Sequence, residues 1–257
     1  MPVEYIPFEE ARAAQGLRMV VVPGIPSPWS EAAKGIFHVK RLPWKAVRLD
    51  ASNDAMADWT KARSGPVAFL DDEAPRAAWG QILLLAERLA PRPALLPADP
   101  LERARAFGLA HEICGEQGLI WERRLQGVHA GLQGQPGGFP APVAQYLSGK
   151  YGYHAAEAAR PPGRVIELLS LLAGVLQEQR RKRSRFYLGQ GLTAVDLYSA
   201  TAMAMFKPLP PEQCPMMEFI RPTLEAMDVA TATALDPILL EHRDFIYREF
   251  LELPLTL

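Results

Sequence analysis

Two cysteines, Cys114 and Cys214, are all that 257 residues hold. Two thiols cannot build a disulfide framework, and their spacing matches no zinc motif. Each reads as a small buried hydrophobe rather than a reactive group. The five histidines show no metal-ligand spacing such as H-E-x-x-H. Charge of one sign is lacking too: the net charge is -1, which gives no broad pull toward nucleic acid or an anionic membrane. No apolar run approaches the roughly 20 residues of a membrane span. The first residues, MPVEYIPFEEARAAQ, carry acids and no apolar stretch, unlike a signal peptide. These absences lead to the expectation of a soluble, cytoplasmic protein with no membrane or nucleic-acid partner and no metal.

What is present is apolar content of 49%, enough for a sizeable core, and an ordered set of local patterns. Residues 1 to 16 read as an arm with a short helix near Glu9 to Ala14. The valine-rich run Leu17 to Val22, closed by Pro23-Gly24, predicts a buried strand. Trp29, Ala32, Ala33, Ile36 and Phe37 then fall on one face of a helix. Trp44 to Leu49 suits a second strand, parallel to the first, so residues 17 to 49 form one βαβ unit. A loop with one helical turn at Trp59 follows. Pro66 to Leu70 predicts a third strand, Asp71 to Glu73 a turn and Pro75 to Ala78 a short fourth strand. A helix runs from Trp79 to about Ala90, burying Trp79, Ile82, Leu83, Ala86 and Ala90.

PRPALLPADP, residues 91 to 100, holds four prolines in ten positions. It can be neither helix interior nor central strand. We read it as a linker between an α/β domain, residues 1 to 90, and an all-helical domain, residues 101 to 257. The second domain opens with one long helix from Leu101 to about Val128. A glycine-rich loop, a short helix in 141 to 159 and a long helix from Pro161 to Arg185 come next. Thr193 to Phe206, apolar almost all round, predicts a central buried helix. Two more helices lie near 215–228 and 235–251. In LTAVDL, Thr193 is placed to cap that central helix and Asp196 to return a bond to the Thr193 N–H, the capping-box arrangement. That role is structural, and no catalytic role falls to Asp196.

The basic run RRKRSR, residues 180 to 185, stands at a helix end, where cations complement the dipole. No second basic cluster or aromatic interleaving makes it a nucleic-acid surface. HAGLQGQPGG lacks the order of a phosphate loop.

The order of these pieces resembles the glutathione S-transferase family. GPVAFLDDE resembles the segment in which a cis-proline, here Pro66, opens the third strand. ALLPADPLERARA resembles the family's linker and first long helix, and FYLGQGLTAVDLYSA its capped core helix. The resemblance spans roughly residues 17 to 206. It implies a thioredoxin-like domain followed by a helical bundle, a homodimer, and glutathione as co-substrate for attack on an apolar small-molecule electrophile.

It also implies site residues. SPWS, residues 27 to 30, occupies the position of the serine and cysteine classes, so Ser27 aligns with the catalytic position and Ser30 with the glutathione site. Positive partial charge at a helix N-terminus favours a thiolate, and a hydroxyl can donate to it. Serine before proline is equally a common helix start. Without cysteine at 27 or 30, thiol–disulfide exchange lacks its nucleophile. Gly65, Pro66 and Val67 would offer backbone groups to the tripeptide. Ala78 and Trp79 stand where the family carries an acidic or amide residue followed by serine, so the side-chain half of the usual carboxylate anchor is missing. Trp29, Tyr151, Met203 and Phe206 would form the substrate pocket. The alternative is a non-catalytic binding or scaffold protein of the same fold that has lost glutathione.

Overall fold

The computed structural model describes residues 3–257. Its α/β half carries β1 (Glu4–Tyr5), α1 (Phe8–Ala13), β2 (Leu17–Val21), α2 (Pro28–Val39), β3 (Lys45–Arg48), α3 (Asp54–Thr60), β4 (Val67–Leu70) and α4 (Trp79–Leu89). The strand order is β1-β3-β2-β4, with β3 parallel to both neighbours and β4 antiparallel to β2. Every residue of β2 is buried because strands flank it and helices cover both its faces. Period-two alternation sorts its side chains. Leu17, Met19 and Val21 join the core that includes α2, α4 and the helical half. Val20 joins a smaller core with Ile6, Val47, Met56 and Phe69. The one charge in the strand, Arg18, donates from its two terminal nitrogens to the Ala14 and Asp71 carbonyls and lies over the Phe69 ring, while its Nε is buried without a partner.

Two expectations change here. The arm contains a strand: Glu4 and Tyr5 pair with Lys45 and Ala46. The expected fourth strand at Pro75 to Ala78 shrinks to one bridge, in which Ala68 and Arg76 exchange two bonds of 2.9 Å. Pro75 has no N–H to extend a ladder.

The helical half contains α5 (Pro100–Cys114), α6 (Leu119–Leu132), α7 (Ala141–Lys150), α8 (Arg160–Arg181), α9 (Ala194–Ala202), α10 (Arg221–Glu225), α11 (Val229–Ala234) and α12 (Pro237–Phe250). The single long helix expected over 101–128 is broken between α5 and α6. Gln117 takes φ 61° and Gly118 packs so tightly that a Cβ there would sit 2.7–2.9 Å from the carbonyl oxygens of His111, Glu112 and Gly115. α9 is buried along its whole length and packs against α2, α5 and α12. It ends at Ala202, and a tighter turn over Met203–Met205 finishes the predicted segment.

The expected capping pair is in place at the start of α9: Asp196 returns its bond to the Thr193 N–H at 2.8 Å, and the Thr193 hydroxyl lies 2.8 Å from the same carboxylate oxygen. The other carboxylate oxygen accepts from the Tyr187 N–H at 2.8 Å and contacts His242 Nε2 at 3.0 Å. Residues 91–100 are held down at their start and middle. Lys40, buried at the end of α2, donates to the Ala90 and Pro93 carbonyls and pairs with Glu87 at 2.6 Å. The Leu95 carbonyl accepts the Ala194 N–H at 2.8 Å, so it satisfies one of the orphan donors of α9.

Candidate functional site

A cleft of about 470 Å³ opens between the two halves. Its first wall comes from Gly65 and Pro66 before β4, and from Ala78 and Trp79 at the start of α4. Its second comes from the α5–α6 junction, Trp121, Lys150 and Tyr151, with Trp29 of α2 stacked on Tyr151.

Pro28 occupies the first turn of α2, where a missing N–H costs nothing. Ser27 holds the cap position, and its carbonyl accepts from Glu31 N–H at 2.8 Å. Its hydroxyl makes no cap bond, so the plain helix-cap role expected from Ser-Pro is not what the side chain does. Ser27 is only 4% exposed and does not line the cleft. Trp29 fixes this turn to the helical half. Its indole N–H donates to the Cys114 carbonyl at 2.9 Å, and its ring stacks on Tyr151 with centroids 6.2 Å apart.

The Gly65–Pro66 peptide is cis. Gly65 passes close to β2: a Cβ there would lie 3.2 Å from the Val20 carbonyl oxygen. At the start of α4 no side chain of residue 78 or 79 offers a hydroxyl. Gln81 reaches back to accept the Ala78 N–H at 3.3 Å. The Trp79 ring packs on Phe107 and edge-on to Tyr198, whose hydroxyl donates to the Trp79 carbonyl at 3.3 Å. The early N–H groups of α4 have no partner within the helix, which leaves the backbone half of an anion site at this end.

Of the residues expected at the site, the cleft brings together Trp29, Gly65, Pro66, Ala78, Trp79 and Tyr151. Others lie elsewhere. Ser30 is fully buried, and its hydroxyl accepts the Val22 N–H at 3.1 Å, tying the end of β2 to α2 rather than facing a ligand. The Val67 side chain is buried in the sheet core, so only its backbone is a candidate. Met203 and Phe206 are fully buried in the main core, because the turn that ends α9 points them inward. They form no part of the cleft wall.

Two cations beside Tyr151 had no place in the sequence expectation. Lys150 lines the cleft, with its amine 5.6 Å from the Tyr151 ring centroid. Partial burial, with the Arg124 charge adding, lowers that amine to about 8. Arg124 is 7% exposed and packs against Trp29, Phe139 and Tyr151, with its Nε buried and unbonded. A signal existed: Ile120, Arg124 and Val128 follow at i, i+4, i+8, so the arginine shares a stripe with two buried apolar residues. Burial raises the Tyr151 phenol and pushes the Cys114 thiol well up, so Cys114 sits in the cleft wall as an un-ionised thiol. Among the described residues, no group of three His, Cys, Asp or Glu is placed to hold a metal, and no helix is long and apolar enough to cross a membrane.

No family model matches the sequence, and comparison with curated proteins finds no match either. Solved structures do match along most of their length. A glutathione S-transferase from Methylobacillus flagellatus KT with glutathione bound is 13% identical, with 91% of this chain and 96% of that one covered and a TM-score of 0.64. A Methylobacterium radiotolerans glutathione S-transferase in complex with glutathione sulfonate is 18% identical over 91% and 92%, with a TM-score of 0.57. Maleyl pyruvate isomerase, a bacterial zeta-class glutathione S-transferase, is 18% identical over 88% and 95%, with a TM-score of 0.52. A thioredoxin-like sheet with a cis-proline before β4, joined to a helical bundle through a capped core helix, gives this chain the glutathione S-transferase fold.

Proposed function

We propose that the protein binds glutathione along the first wall of the cleft and directs its thiolate at an electrophile seated against the second. The observation that carries this reading is the cleft itself. It joins the cis Gly65–Pro66 loop and the open start of α4 to an aromatic wall formed by Trp29, Trp121 and Tyr151. Neighbours of the same fold are described with glutathione or its sulfonate bound.

In this mechanism the tripeptide lies along Gly65–Pro66–Val67 with its γ-glutamyl carboxylate toward the N–H groups of α4. The sulfur sits near the start of α2, whose partial positive charge favours thiolate. The nearest hydroxyl at that helix start is Ser27, free of a helix-cap bond but 4% exposed and outside the cleft lining, so its role as donor requires the sulfur to reach past the lining to it. The thiolate forms a sulfur–carbon bond with the electrophile, and either a leaving group departs or the adjacent carbon takes a proton. The missing hydroxyl at residues 78 and 79 removes one bond to a charged group, about 1.5–3 kcal/mol. Glutathione affinity therefore falls roughly ten- to a hundredfold below that of a complete anchor. A homodimer belongs to the same proposal and is checked by analytical ultracentrifugation.

Calorimetric titration with reduced glutathione tests the reading. Saturable heat in the micromolar to low-millimolar range supports it, and Ser27→Ala should then slow conjugation by about a hundredfold, the cost of one oriented donor. No heat up to about 10 mM glutathione sinks it and leaves a binding or scaffold protein on this fold.

A further inference from the structure

The second wall of the cleft carries more positive charge than the protein neutralises. Arg124 and Lys150 flank one ring, with the guanidinium carbon 5.8 Å and the amine 5.6 Å from the Tyr151 centroid. Neither forms an ion pair among the described residues. The nearest carboxylate on α6, Glu122, is turned to Arg160 at 3.4 Å. Glu116 stands in the cleft wall, yet Arg124 is the charge that dominates around Lys150. Arg124 gains cation–π attraction from Trp29, Phe139 and Tyr151. Three rings cannot replace the hydration or the counter-ion that a buried guanidinium forgoes, and its Nε has no acceptor. An anion entering beside Tyr151 would gain from both charges without displacing a protein carboxylate. Trp29 and Trp121 would cover the apolar part of the same ligand.

We infer that Arg124, Lys150 and Tyr151 form a carboxylate subsite, and that the cleft takes a small molecule with an aromatic or unsaturated body and an acid group. This deepens the proposed function and rests on it for the ligand's role as second substrate. It replaces the purely apolar electrophile expected from the sequence. Lys150 at the cleft mouth meets the carboxylate, Tyr151 orients it, and Arg124 behind the ring supplies charge.

The test compares 4-phenylbutanoate with 4-phenylbutan-1-ol, which share a carbon frame, by calorimetry on the intact chain. The acid should bind at least about tenfold tighter, the effect of one bond to a charged group. Lys150→Met and Arg124→Met should each reduce that preference, and Lys150→Arg should keep it. Lys150 stands at the surface as a residue although its amine is drawn against the Tyr151 ring, so its variants report even if Arg124→Met fails to fold. Equal binding of acid and alcohol, or a preference untouched by the Lys150 substitution, overturns the subsite. Saturating glutathione separates the two sources of carboxylate. Displacement of phenylbutanoate would assign the cations to the tripeptide's own carboxylates and overturn the second-substrate role; simultaneous binding supports it. If glutathione gives no heat, the proposed function fails while the acid-over-alcohol preference still decides the subsite.

Discussion

Replacing Asp196 with alanine should be among the most damaging single changes to this protein. Asp196 is fully buried and gathers four polar contacts: Thr193 N–H and hydroxyl on one oxygen, Tyr187 N–H and His242 on the other. In Asp196→Ala the Thr193 hydroxyl can turn away, but the two backbone donors cannot. Each buried, unpaired N–H costs about 1–3 kcal/mol. With His242 also stranded at 5% exposure, the sum is roughly 4–6 kcal/mol. For a chain of this size that lowers the thermal midpoint by roughly 10–20 °C. Asp196→Asn should fall between, because its amide NH₂ must face one pair of donors. Asp99 is the control. It accepts from Glu102 N–H at 2.9 Å at the exposed start of α5, and Asp99→Ala should cost about 1 kcal/mol. The measurement is urea unfolding followed by circular dichroism, with thermal scans beside it. If Asp196→Ala costs no more than Asp99→Ala, burial is not what gives this carboxylate its weight.

Three further outcomes are expected. Gly118→Ala should destabilise by about 1–3 kcal/mol, because its Cβ would meet three carbonyl oxygens at 2.7–2.9 Å. Gly108→Ala, in open space within α5, should instead stabilise by about 1 kcal/mol, and equal effects in urea unfolding would contradict both arguments. A thiol reagent at pH 8 should find neither cysteine in the folded chain and two in denaturant, since burial raises Cys114 well above its usual range and Cys214 to about 11. Prompt reaction of a native thiol would refute that. Lys150 loses its proton near 8 when folded and near 10.5 when unfolded, so its contribution to stability rises with pH between those values. Phenylbutanoate affinity should move the opposite way, falling from pH 7 to 9 as the amine facing Arg124, Tyr146 and Tyr151 discharges. Lys150→Met should abolish both trends.

Much of this was legible in the chain because local chemistry dictated it. The order of strands and helices follows hydrophobic period, and the position of Asp196 three residues after Thr193 fixes the start of α9. The Gly65–Pro66 loop and the absent hydroxyl at Ala78–Trp79 are read directly from residue identity. The failures have physical causes too. A two-residue strand such as Glu4–Tyr5 has no period to read, and only pairing with β3 makes it a strand. The break after Cys114 looks like a tolerable glycine pair until the packing of Gly118 is seen. Residue type alone suits Met203 and Phe206 to a pocket wall, yet the turn after α9 decides which way they point. Arg124 and Lys150 come from different helices, and only the tertiary fold sets them around one ring.

The way α2 is attached changes what counts as a part of this molecule. At its N-terminal end the Trp29 indole holds a carbonyl of α5; midway Lys34 donates to the Thr256 carbonyl at 2.6 Å; at its far end Lys40 grips the linker. The helix is thus a strut shared by the sheet, the proline-rich segment and the C-terminal tail. Cutting the chain between 91 and 100 would sever a covalent link that is mechanically redundant. The two pieces should stay together as a noncovalent pair, and neither expressed alone should be a faithful copy of its half.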